Sequence, residues 1–100
     1  MARSKVLTQE KHYSGNLPPI EVNDLIQKLR YQYENCYTPS EVDGFLIIGG
    51  DGLSEKSQAL VDDFAAWASG KDMFVRYHTS RDMVQIRNTL RNRTENIWGQ

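Results

Sequence analysis

The stretch FLIIGGDGLSEKS, residues 45–57, sets the architecture of the chain. Phe45, Leu46, Ile47 and Ile48 form an unbroken apolar run bounded by glycines and too short for a helix. Such a run predicts a central strand covered on both faces, as strands of parallel sheets are. The glycines of GGDG then turn the chain sharply, and Ser54 stands where a helix N-cap belongs. A strand running through a glycine turn into a helix is the unit of an α/β fold.

Working outward, the same unit recurs twice. Upstream, Val22, Leu25, Ile26, Leu29, Tyr33 and Cys36 recur at three- and four-residue spacing, which predicts one buried face of a helix from about Ile20 to Tyr37. Thr38, Pro39 and Ser40 should end it, because proline disfavours helical geometry in the residue before it. Ahead of that helix, residues 5–13 carry a strand pattern, followed by the turn residues Gly15, Asn16, Pro18 and Pro19. Downstream, Leu60, Val61, Phe64, Ala65, Trp67 and Ala68 make a second stripe that stops at Gly70. Met73 to Tyr77 predict a further strand, and Met83, Ile86, Leu90 and Ile97 the apolar side of a third helix. The expectation is a compact α/β domain of three strand-helix units, mainly parallel, with the helices packed on the sheet. The alternative is an α+β fold in which residues 5–13 form an antiparallel edge strand. All 100 residues form one domain, with residues 1–5 as a candidate arm.

Composition narrows the function classes. Hydrophobic residues make up 39% and charged residues 25%, a globular balance, and no apolar run approaches the roughly 18 to 20 residues a membrane span needs. A cytoplasmic protein without a membrane partner is expected. One cysteine and two histidines argue against a disulfide or a structural zinc site, and no cofactor is expected. The net charge of -1 is uneven: residues 41–70 hold one basic and six acidic groups, residues 71–100 six basic and three acidic.

GGDG invites comparison with phosphate-binding loops, since glycine amides at a helix N-terminus suit an anion. The dinucleotide pattern Gly-x-Gly-x-x-Gly fails because Glu55 occupies the third glycine position, and no Gly-Lys-Ser/Thr follows for a nucleotide-binding P-loop. Phe45 to Gly52 resembles the phosphate-contacting turn of the diacylglycerol, sphingosine and NAD kinases. Leu53 stands where that group commonly has Thr or Ser. The resemblance implies Gly49, Gly50 and Gly52 as backbone phosphate ligands and Asp51 as a polar site residue. Against it stands a tight turn in which Asp51 and Ser54 cap the following helix.

In a parallel sheet the turns after each strand emerge at one edge, where ligands of open α/β folds bind. That edge would gather Tyr13 to Asn16, Gly49 to Gly52 and His78 to Arg81. Gly50, Asp51, Gly52, His78, Ser80 and Arg81 are therefore candidate ligand residues for a phosphate-bearing molecule such as a nucleotide. A catalytic version would use His78 as acid or base beside Asp51, with Ser80 as nucleophile and as cap of the last helix. No recognised nucleophile motif surrounds Ser80, so no catalytic residue is assigned. Arg87 and Arg91, four apart on the last helix, could track nucleic-acid phosphates. The sequence pI near 6.1 speaks against a dedicated nucleic-acid binder. Tyr31 and Trp98 are the candidate partner-binding aromatics, because exposed Tyr and Trp are enriched at interface hot spots. The leading expectation is a small non-enzymatic binding or regulatory protein acting through a protein partner, a homodimer included. The rival is the phosphate-ligand or nucleic-acid binder.

Overall fold

The computed structural model describes residues 5–82. The third apolar stripe, Arg87, Arg91, Trp98 and most of the candidate arm lie outside the described residues. Within them the order is β1 (Lys5–Lys11), α1 (Pro19–Asn35), a 3-10 turn (Pro39–Glu41), β2 (Val42–Gly49), α2 (Glu55–Ser69) and β3 (Phe74–His78). β1 and β3 both pair parallel to β2, in the spatial order β1-β2-β3. The fold is α/β, and the antiparallel alternative for the first strand is excluded by its register, Leu7 opposite Phe45 and Lys11 opposite Gly49.

A 1-2-3 strand order with two crossovers of one hand puts both helices on the same face. There α1 and α2 pack side by side. Leu7, Phe45 and Val75 form one row of paired residues on this face. Phe45, fully buried, lies at the centre of an aromatic cluster: 5.9 Å from Tyr33, 4.9 Å from Phe64 and 6.1 Å from Trp67 between ring centroids. Arg30 caps the cluster from α1, its guanidinium 4.5 Å from the Trp67 ring. Neighbouring rows face the other way. On that side Phe74, 37% exposed, lies against Gly44, where a Cβ would meet the ring at 2.7 Å.

The helix ends follow local chemistry with two departures from expectation. Pro19 opens α1 at a position that needs no N–H donor, and Ser54 caps α2 by accepting from the Ser57 amide at 3.2 Å. Cys36 is the first departure. It stands past the end of α1 as its C-cap and is exposed rather than part of the buried stripe, because the helix stops at Asn35. Gly70 is the second: it does cap α2, yet in a right-handed conformation with φ -63°, and the left-handed residue of this connection is Asp72 at φ 60°. Three backbone bonds back to α2 carry the chain through this corner, from Lys71 and Met73 to Ala68 and from Asp72 to Ser69.

Candidate functional site

The carboxyl edge of the sheet brings the three strand-end turns together and binds them to one another. Leu17, fully buried, forms an isolated parallel bridge with Leu53; its N–H donates to the Gly52 carbonyl at 2.9 Å, and its own carbonyl accepts from the Ser54 amide. The buried Ser57 hydroxyl also donates to that carbonyl, at 2.7 Å. Asp51 and Gly15 are joined twice: the Asp51 amide donates to the Gly15 carbonyl at 2.8 Å, and the Gly15 amide donates to the Asp51 carboxylate at 3.0 Å. From the other side, Ser80 donates its amide to the Gly50 carbonyl at 3.0 Å and the Tyr77 hydroxyl donates to the Gly49 carbonyl at 2.5 Å.

These contacts explain the glycines. Gly50 has φ 65°, and a Cβ there would lie 2.8 Å from the Gly15 carbonyl oxygen. Gly49 has φ 156°, and a Cβ there would overlap the Lys11 carbonyl oxygen. The backbone that glycine admits at this turn is the chain's own, arriving from residues 11–17. The Asp51 amide and the Gly49, Gly50 and Gly52 carbonyls are all engaged internally, and the Asp51 carboxylate clamps the neighbouring turn rather than capping α2.

Beside this knot, Asp51, Thr79 and Arg81 line a cleft of about 290 Å³. Arg81 is exposed and could meet an anion, but Asp51 shares the cleft and Asp82 follows in sequence. The cap of the helical turn beginning at Ser80 is Thr79: its hydroxyl accepts from the Asp82 amide at 3.1 Å and its amide donates to the Asp82 carboxylate at 3.2 Å. Ser80 is thus one residue too late to be the cap. The spacing Thr-x-x-Asp was the signal for this reciprocal bond. His78, half-buried, has its Nδ1 3.9 Å from the Asp82 carboxylate. Among the described residues no hydrogen bond joins His78 to Asp51 or Ser80.

Tyr77 is held in its neutral form. Burial first, then the carboxylates of Asp51 and Asp82, push its hydroxyl pKa above the ordinary tyrosine value. A raised folded-state pKa contributes stability that is fully present below the unfolded value near 10 and is lost as pH rises through the folded value. Stability should therefore fall on titration above pH ~10, and Tyr77→Phe should flatten that alkaline limb while lowering stability at neutral pH by about 1 kcal/mol for the lost hydrogen bond. Urea melts at stepped pH measure both; an unchanged alkaline slope would sink this assignment.

A second concavity lies on the outer flank of α1, on the β1 side of the fold. Asp24, Gln27, Lys28, Tyr31 and Gln32, at successive turns of the helix, and its C-cap Cys36 meet Gln9 of β1 around a groove of about 540 Å³. Gln9 pairs with Ile47 and so shares the helix-bearing face. Tyr31 is 64% exposed there. Asp24 and Lys28 neutralise each other at 3.1 Å, one turn apart. Of the groove residues, only Tyr31 was recognisable from sequence. Gln9, Gln27 and Gln32 carry no chemical signature until the fold sets them together.

Among the described residues no helix is long and apolar enough to cross a membrane. Compared with protein-family models, curated proteins and solved structures, the chain matches none.

Proposed function

We propose that this chain is a small binding or regulatory domain that engages a protein partner through the outer flank of α1. The observation that carries the reading is Tyr31, 64% exposed over a groove of about 540 Å³. An aromatic side chain held in water beside a concave surface gains most when a partner desolvates it, and tyrosine is among the residues that dominate interface energies. Against an anion site at the strand-end turns stand the Asp51 amide, spent on the Gly15 carbonyl, and the Asp51 carboxylate in the adjoining cleft.

A photo-crosslinking amino acid substituted for Tyr31 should yield a covalent adduct with another protein in the source cells, and the same group at Arg81 should yield none. Tyr31→Ala should leave stability within about 0.5 kcal/mol of wild type, as surface substitutions do. Adducts confined to Arg81 would reverse the assignment. So would a rise of several degrees in Tm with phosphate or nucleotides, lost in Arg81→Ala; a ligand at 100 times its Kd adds about 2.7 kcal/mol.

A further inference from the structure

β1 is seven residues long and pairs with β2 on one side only; among the described residues no strand pairs with its outer edge. An outer edge of this kind offers alternate main-chain N–H and C=O groups to any extended chain that comes alongside. The groove under Tyr31 adjoins this strand through Gln9, so one occupant could satisfy the edge and fill the groove together. Resting on the reading of α1 as a partner surface, we infer that the partner enters as an extended, uncharged segment that adds to β1 as a fourth strand and places apolar or amide side chains under Tyr31.

The electrostatics select the chemistry of that segment. Gln9, Gln27, Gln32 and Tyr31 bring hydrogen-bonding groups without net charge, and the two charged residues that line the groove, Asp24 and Lys28, pair with each other at 3.1 Å. A charged side chain entering the groove would lose water without gaining a partner, which is costly. A neutral side chain meets amide donors and acceptors and the face of a tyrosine. This is strand addition, with main-chain bonds supplying affinity and the pocket beside the edge supplying selectivity.

The same residues disfavour a second copy of this chain as the occupant. Two β1 strands paired antiparallel about Thr8 would set Lys5 opposite Lys11 at both ends, and like charges directly opposed are destabilising. Centring the pair on Leu7 or on Gln9 removes that conflict but shortens the overlap to residues 5–9 or 7–11.

The test is a display library of random twelve-residue peptides selected on the intact chain, with each enriched peptide then synthesised. Enriched peptides should be uncharged and rich in β-branched or aromatic residues at alternate positions. On binding, alternate amides of Lys5–Lys11 should exchange with solvent at least tenfold more slowly, and Tyr31→Ala should weaken Kd at least tenfold. The exchange measurement uses the wild-type chain, so it does not depend on a variant that fails to fold. No enriched peptide, charged or helical peptides, or β1 amides that exchange as before would each overturn the inference. Concentration-dependent dimers that protect the same amides would overturn it in favour of a second copy. A crosslinked protein at Tyr31 with unprotected β1 amides would leave the partner reading intact and remove strand addition; no crosslink and no protection would remove both.

Discussion

Alanine at Gly49 is expected to lower the melting temperature by about 15 °C. The turn holds Gly49 at φ 156° with its missing Cβ directed at the Lys11 carbonyl oxygen, at the point where β1 ends beside β2. Adding the methyl forces a strained backbone or a local displacement of a packed neighbour, each costing about 1–3 kcal/mol. With a contact this short the cost falls at the upper end, roughly 3 kcal/mol, and each kcal/mol moves Tm by about 4–8 °C in a domain of this size. The neighbour cannot yield easily, since Lys11 is paired with Gly49 in the parallel ladder and its amine is held by Glu21. Gly70→Ala is the control. Gly70 has φ -63° and nothing closer than 3.5 Å to an added Cβ, so that variant should match or slightly exceed wild type. Equal melting curves for Gly49→Ala and Gly70→Ala would show that the turn is open rather than packed by residues 11–17.

The second large effect is Phe45→Ala, expected to cost about 3–5 kcal/mol. Phe45 is fully buried and touches rings from both helices: Tyr33 from α1, Phe64 and Trp67 from α2. Each ring packs against another member of the cluster, Tyr33 and Phe64 both meeting Trp67 at 5.7 Å, so the cavity cannot be closed by one side chain turning. Against a total stability of about 5–15 kcal/mol, the loss leaves a marginal fold. Urea denaturation should show a midpoint displaced downward by roughly a third to a half, with the near-ultraviolet signal of the aromatic cluster weakened. A change below about 1 kcal/mol would mean that the two helices do not share this core.

The parts of the fold that were legible in the sequence are those where burial is periodic. Val22, Leu25, Ile26, Leu29 and Tyr33 mark the inner face of α1, and Val61, Phe64 and Ala68 that of α2, because a helix facing a sheet must repeat its apolar residues every turn. Residues 45–48 announced the centre of β2, but the strand begins earlier, at Val42, where Asp43 and Gly44 interrupt the apolar pattern. β1 was visible only faintly, since an edge strand buries little: of its residues only Leu7 is buried. The turn chemistry was half legible. Ser54 is the cap its position suggested, whereas Asp51 reaches 36 residues back to the Gly15 amide, a contact that no local pattern encodes. Ser57 shows the same limit, its buried hydroxyl reaching 40 residues back to Leu17. Function was less legible still, because the groove under Tyr31 is assembled from glutamines of two elements whose types carry no chemistry on their own.

The most direct test of where this chain acts is an amide chemical-shift map of the isotopically labelled protein titrated with the partner captured at Tyr31. Shifts are expected in Lys5–Lys11 and from Asp24 of α1 to its C-cap Cys36, with residues 49–54 and 79–82 unmoved. Shifts concentrated at Gly50, Gly52, Ser80 and Arg81, with α1 silent, would contradict the account and return the strand-end turns to the centre of the function.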